Sequence, residues 1–199
     1  MKLDCLILAA GNSTRFGRCK LLAEWRGQPL IAATLDAAST LEIEHIKIIA
    51  GAYYQELVAA KFIPKELNSR VELVEFSDWR MGMGHSLAFG IEQFATENAV
   101  LILLGDQPLI SAQDLQNLRC VWNNSAEKIV CASFGNTLGV PAIFPPQFKT
   151  ELRACGGDRG AKSVLLRHSQ ILISVPMPHA EFDVDTPEDL DILSQKNVV

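Results

Sequence analysis

Apolar runs of strand length alternate along this chain with segments whose apolar residues recur every three or four positions. Leu6–Ala9 is continuous rather than alternating, the pattern of a strand buried on both faces. His45–Ala50, Val71–Phe76 and Val100–Leu104 repeat it, and Gly51 and Gly105 close the first and last of these. Helix-period segments fall between them. Leu30, Ala33, Thr34 and Ala37 make one face after a turn at Gly27-Gln28-Pro29. Tyr54–Phe62 reads as a helix stopped by Pro64, and a glycine-punctuated loop, Trp79–Ser86, runs into a helix carrying Leu87, Ile91 and Phe94. Ser111 with Asp114 three residues on caps a helix striped by Leu115, Leu118 and Trp122. This β-α alternation predicts an α/β fold with a doubly wound, mostly parallel, Rossmann-like sheet.

The second half is less regular. Ile129–Phe134 and Val140–Phe144 flank Gly135-Asn136-Thr137-Leu138-Gly139 and predict a β-hairpin added to the sheet. A short helix follows Pro145-Pro146 through Leu152, a polar loop spans Gly156–Gly160, and a helix carries Val164 and Leu165. Ile171–Val175 reads as a last strand. Thr186 as N-cap, Pro187 at the first helical position and Asp189 at the third then open a final helix. No repeat, low-complexity tract or linker composition interrupts 1–199, so one domain is expected.

Composition narrows the partners. With 199 residues and 48% hydrophobic content, the chain can bury one sizeable core. A formal net charge of -5 is unlike a nucleic-acid footprint, and no apolar stretch approaches the length of a membrane span. Cys5, Cys19, Cys120, Cys131 and Cys155 are odd in number and form no C-x-x-C pair, which fits free thiols in a reducing cytoplasm rather than a disulfide framework or zinc site. The short apolar run at Cys5–Ala10 is too brief for a signal segment.

Candidate chemistry concentrates in three places. The buried first strand opens into a polar loop bearing Gly11, Arg15, Gly17, Arg18 and Lys20, with Arg26 beyond. Loop amides and cations of this kind hold phosphate, although an ordinary βα connection with solvated cations has the same composition. The glycine spacing matches neither a dinucleotide fingerprint nor a Walker loop. Asp106, in Gly105-Asp106-Gln107-Pro108, lies at the carboxyl end of a buried strand, where it either caps the turn or faces a ligand. Asp185 lies in Asp183-Val184-Asp185-Thr186-Pro187, where Thr186 already serves as cap. Two such carboxylates about 4 Å apart would repel by roughly 4 kcal/mol at an effective dielectric near 20, and a magnesium ion removes that penalty. Cys19 lies beside three cations, a setting that can depress a thiol pKa, although an incidental loop thiol is the simpler reading. His85 is a helix-start or substrate contact rather than a base, and His45, His168 and His179 have no evident partners.

The stretch Leu8-Ala9-Ala10-Gly11-Asn12-Ser13-Thr14-Arg15-Phe16-Gly17-Arg18-Cys19-Lys20 resembles the signature of the MobA/MocA-like nucleotidyltransferases, with Phe16 where a methionine is usual. Ser86-Leu87 with Gly90, Gly105-Asp106-Gln107-Pro108, Gly139-Val140-Pro141, Gly157-Asp158-Arg159-Gly160 and the Asp183–Asp189 segment match further family motifs in order. The resemblance implies the nucleotide-diphospho-sugar transferase type of sheet. It further implies nucleotide binding by Leu8, Ala9, Ala10, Gly11, Asn12, Ser13, Lys20, Ser86 and Asp106. Catalytic roles fall to Lys20, Arg15 and Asp106, Mg2+ binding to Asp106 and Asp185, and an acceptor pocket to Gly139, Pro141, Gly157 and Asp158. Leu8-Ala9-Ala10-Gly11 resembles the branch that uses CTP to cytidylate molybdopterin rather than the guanylyl branch. The expected substrates are therefore CTP and molybdopterin, with a molybdoenzyme as recipient of the product. Alternatives are a sugar or polyol phosphate as acceptor, or a non-catalytic nucleotide- or pterin-binding accessory protein. A nicotinamide-dependent reductase would need a dinucleotide site that the sequence lacks.

Overall fold

In the computed structural model, which describes residues 1–195, the first apolar run is the spine of the sheet. The last four positions of the domain expected over 1–199 lie outside the described residues. Strand β1 (Leu3–Ala9) is buried at every position. It begins three residues before the expected Leu6 because Asp4 is accommodated inside: Asn98 Nδ2 donates to its carboxylate at 2.9 Å, and His45 Nδ1 lies 3.4 Å away. A buried carboxylate with such partners need not break a strand. After the polar loop, β2 (Glu24–Trp25) and β3 (Gln28–Pro29) pair as a small ribbon across a turn in which Arg26 and Gly27 both have positive φ. The proline expected in a simple turn is thus part of a hairpin.

β4 (Ile46–Ala50) and β6 (Ala99–Leu104) flank β1 in parallel, and β5 (Val71–Glu75) extends the parallel set beyond β4. On the other side the hairpin of β7 (Val130–Phe134) and β8 (Thr137–Phe144) is inserted with β8 against β6, antiparallel. β9 (Ile173–Pro176) runs parallel to β7 at the edge. The order is β5-β4-β1-β6-β8-β7-β9, a mostly parallel seven-stranded sheet in which β8 alone opposes its neighbours. The loop expected at Gly135–Gly139 contracts to Gly135-Asn136, since β8 already starts at Thr137. Gly139 leaves space for the Phe134 ring: a Cβ there would lie 2.8 Å from Phe134 Cζ.

Helices cover both faces. The residues of β1 alternate between them, Cys5, Ile7 and Ala9 toward one core and Leu6 and Leu8 toward the other. The first core takes Ile31 and Leu35 of α1 (Leu30–Ser39), Leu57 of α2 (Tyr54–Ala60) and Leu115, Leu118 and Trp122 of α4 (Ala112–Asn123). The second takes Leu87 and Ile91 of α3 (Met83–Glu92), Leu152 of α5 (Lys149–Arg153) and Val164 and Leu165 of α6 (Ala161–Arg167). Each Leu or Ile so buried contributes roughly 1.5–3 kcal/mol. α2 ends before the expected Phe62, because Lys61 turns left-handed at φ 49°. The capping boxes are present as expected. Ser111 Oγ accepts from Asp114 N while the Asp114 carboxylate accepts from Ser111 N, and Thr186 and Asp189 do the same at α7 (Pro187–Gln195).

A third, smaller core ties the polar loop to the end of the chain: Phe16, Trp25, Leu30 and Leu109 pack with Val184 and with Leu193 of α7. Backbone-to-backbone contact also braces the start of α3, which begins at Met83, inside the loop expected over Trp79–Ser86. Gly84 N donates to Gly157 O at 2.8 Å, and a Cβ on Gly84 would come within 2.7 Å of Arg159 O and Gly156 N. Neither neighbour is a flexible side-chain end. Gly84→Ala is therefore expected to destabilise the fold by about 2 kcal/mol in urea unfolding, in the range of other overpacked substitutions. Gly11→Ala, where a Cβ meets nothing within 4 Å, should leave the midpoint unchanged.

Candidate active site

The parallel strands direct their carboxyl ends to one edge of the sheet, and the loops that follow β1 and β6 open there. After β1 the chain turns at Ser13, whose φ of 47° lets its carbonyl accept from Phe16 N and Gly17 N. Tyr53 Oη donates to Asn12 O at 3.1 Å, and Ser13 Oγ accepts from Lys20 N at 3.4 Å. A 3-10 turn, Lys20–Leu22, buries Leu21 and so directs Lys20 back over the sheet edge.

There Lys20 Nζ stands 2.6 Å from Asp106 Oδ2 and 2.9 Å from Asp185 Oδ1, its side chain only 12% exposed. Arg15 reaches in from solvent to Asp185 Oδ2 at 2.7 Å. Asp185 comes from the far end of the sequence, yet Val184 N donates to Asp106 O at 3.0 Å and brings the segment across the edge to β6. Burial alone would lower the Lys20 ammonium's pKa, but the charge and hydrogen bonds of Asp106 and Asp185 outweigh it and hold the pKa above its ordinary value. Burial likewise works against an ionised Asp185, yet Lys20 and Arg15 hold its pKa below the usual carboxylate range. Lys20 and Asp185 are thus both held in their charged forms.

These groups line a cleft of about 570 Å³, within the range of small-molecule sites. Leu8, Ala9, Ala10, Gly11, Asn12, Ser13, Arg15, Lys20, Ser86, Asp106 and Asp185, dispersed in sequence, all border it. The acceptor candidates lie elsewhere. Gly139 and Pro141 belong to β8, Asp158 is exposed, and Gly157 does not line the cleft itself but packs against Gly82, which does. Of the clustered cations, Arg18 and Arg26 do not border the cleft; they lie over the Phe16 and Trp25 rings. The cations near Cys19 in sequence do not depress its pKa. Its side chain is buried, and desolvation pushes the thiol pKa up more than the Leu21 and Leu22 amides lower it. His85 is a brace: Gly157 N donates to its Nδ1 at 3.0 Å, and the same nitrogen lies 2.8 Å from Met81 O. His45, His168 and His179 all have partners, in Asp4, Glu151 and Asp114.

Two features were missed by sequence reasoning. Trp79, with the Arg80 guanidinium 4.3 Å over its ring, forms the opposite wall together with Gly82 and Met83. Gly51 makes this wall possible, since a Cβ there would strike Trp79 Cβ at 2.5 Å, and no local sequence signal announces such a contact. Asp183 also lines the cleft. Its signal was available, because an extended Asp-x-Asp puts both carboxylates on one side. Desolvation, with the neighbouring charge of Asp106, pushes Asp183 up to about 6.

The donor set fits a divalent cation of the magnesium kind. The Lys20 ammonium already stands as a cation between two carboxylates, and such ions take one or two carboxylates and fill the remaining positions with water and phosphate oxygens. Among the described residues no cluster of three or more His, Cys, Asp or Glu side chains forms a complete metal cage. No described helix is long and apolar enough to cross a membrane.

Comparison with known proteins bears on the chain as a whole. A family model described as MobA-like NTP transferase domain matches residues 5–171. The purine catabolism protein PucB of Bacillus subtilis (strain 168) is 26% identical over 196 residues, covering 94% of each chain. The crystal structure of Rv0371c from Mycobacterium tuberculosis H37Rv superposes with a TM-score of 0.81 at 23% identity, over 98% of this chain and 100% of that one. A complex of Rv0371c with manganese gives 0.78 at 22%, over 98% and 99%. The 4-diphosphocytidyl-2C-methyl-D-erythritolsynthase from Anaerococcus prevotii DSM 20548 gives 0.72 at 14%, over 97% and 94%. At these identities the structural likeness speaks to fold.

The raised Asp183 has a consequence for stability. Ionising it costs the fold, so that cost is absent below the ordinary carboxylate pKa of 3.8, grows as pH rises, and is complete above about 6. Asp183→Asn should therefore stabilise the metal-free chain at pH 8 by about 1 kcal/mol, a figure reduced for solvent screening, and leave it unchanged at pH 3.5. Thermal unfolding with chelator at the two pH values checks this.

Proposed function

The chain belongs to the MobA-like NTP transferase family, and from that premise we propose that it moves CMP from CTP to the terminal phosphate of molybdopterin, releasing pyrophosphate. One observation carries the reading: Lys20 and Arg15, rising from a phosphate-type loop, meet Asp106 and Asp185 in one cleft at the carboxyl edge of the sheet. The acceptor phosphate is already ionised and needs no general base, which agrees with a cleft bordered by no histidine among the described residues. Its oxygen attacks the α-phosphorus of CTP in line, and the bond to the β-phosphate oxygen breaks. Lys20 and Arg15 meet the charge that develops on the departing pyrophosphate, with the amides of Gly11–Ser13 beside them.

Asp106 and Asp185 would hold Mg2+, which when bound neutralises phosphate oxygens and draws the two substrates together. A manganese complex of the similarly folded Rv0371c supports a divalent ion here. Ala10, buried at the end of β1 and bordering the cleft, supports CTP through the Leu8–Gly11 resemblance. A cytoplasmic setting accords with five free cysteines.

A second reading keeps the chemistry and changes the acceptor to a sugar or polyol phosphate. It is favoured by the position of Gly139, Pro141, Gly157 and Asp158 outside the cleft wall, and by the shared fold of a diphosphocytidyl-methylerythritol synthase. Pyrophosphate release should be measured with CTP, GTP or no nucleotide, against molybdopterin and against sugar and polyol phosphates. The first reading expects release only with CTP and molybdopterin. Release with a polyol phosphate instead selects the second, and nucleotide binding without any release leaves a non-catalytic accessory protein. Lys20→Ala is expected to lower turnover about 10²–10³-fold, the usual loss when one charge-stabilising donor is removed. An unchanged rate would remove the lysine from the mechanism.

A further inference from the structure

Gln107 follows Asp106 directly but takes no place in the chemistry above. It is 3% exposed, and its amide nitrogen donates to two acceptors: Asp183 Oδ1 at 2.9 Å and Ala180 O at 3.0 Å. Because both partners are acceptors, the side-chain orientation is settled by chemistry. The amide oxygen is buried and finds no partner among the described residues. Such an oxygen costs about 1–3 kcal/mol, and an apolar residue of similar size would avoid the cost. A buried amide kept under that penalty draws its value from its two N–H bonds.

Those bonds cross from the end of β6 to the segment that carries Asp183 and Asp185. Beside them runs the backbone bond from Val184 N to Asp106 O. The backbone bond and the buried Val184 side chain fix the middle of the segment, and the Asp189 carboxylate holds its far end by accepting from Asp185 N and Thr186 N. The Gln107 amide, anchored on Ala180 and Asp183, holds the near end. Asp106 is set by the strand on one side of this joint, and Asp185 by the clamped segment on the other.

Resting on the metal-binding reading of Asp106 and Asp185, we infer that Gln107 is a positioning residue that sets the spacing of this carboxylate pair for a divalent cation. Its amide bonds go to Asp183 and Ala180 rather than to Asp106 or Asp185, and it acts through them. Outer-shell partners of this kind change metal affinity about 10–100-fold when removed.

The test uses the full chain and Mn2+ alone, with bound ion counted by electron paramagnetic resonance. Gln107→Leu and Gln107→Asn carry no charge change, so a lost affinity reports geometry rather than Coulomb attraction. Leucine removes both bonds, and the shorter asparagine cannot span both acceptors. Both variants are expected to bind Mn2+ about tenfold more weakly than wild type. Their CTP-dependent pyrophosphate release should be restored by raised Mn2+, which a misfolded chain would not show. Affinity within threefold of wild type in either folded variant overturns the inference while leaving the metal reading intact. If neither variant folds, Gln107 is structural and the inference also falls. If wild type shows no saturable Mn2+ binding, the metal reading fails and the inference fails with it.

Discussion

One ammonium between two carboxylates organises this cleft. Lys20 comes from the loop after β1, Asp106 from the end of β6, and Asp185 from the segment before α7, so a single cation joins three separate parts of the chain. Removing it would leave two carboxylates facing each other across a small, partly dry gap, where the repulsion is several kcal/mol. The folded chain thus holds a site of high negative potential closed by its own positive charge. A polyphosphate carrying a divalent ion brings both charges needed to open it: the ion for the carboxylates and the phosphates for Lys20 and Arg15.

Apolar packing works beside the Gln107 amide to keep those three parts in register. The small core of Phe16, Trp25, Leu30, Leu109, Val184 and Leu193 couples the phosphate-type loop to the last helix, so the residues between the charged groups are held by packing rather than by the ion pairs. On the opposite wall, glycines at 51, 82 and 84 allow backbone and ring to approach at distances that a side chain would forbid. The site is therefore rigid where it is apolar, and charged where substrates must exchange partners.

Much of the architecture was legible in the sequence because its signals are local and strong. Continuous apolar runs marked the parallel strands, and Ser111 with Asp114 and Thr186 with Asp189 marked two helix starts by their own side chains. Asp106 and Asp185 were recognisable at element ends. The features that escaped were set by distant partners. Asp4 lies inside β1 because Asn98, 94 residues away, donates to it. Cys19 stands among cations in the sequence, but the fold buries it, and desolvation raises its pKa instead. Trp79 enters the cleft wall through a gap at Gly51, a pairing that only the folded sheet creates. Charge near in sequence proved a weaker guide than burial.

The central claim is that the carboxylate pair now held by Lys20 is the divalent-ion site. Calorimetric titration of Mn2+ into the nucleotide-free chain, comparing wild type with Lys20→Met, tests it directly. Loss of the resident ammonium should tighten Mn2+ binding by about fivefold or more, since one charge at contact distance is worth at least about 1 kcal/mol even in water. Unchanged or weaker Mn2+ binding in the variant would place the ion elsewhere and contradict the account.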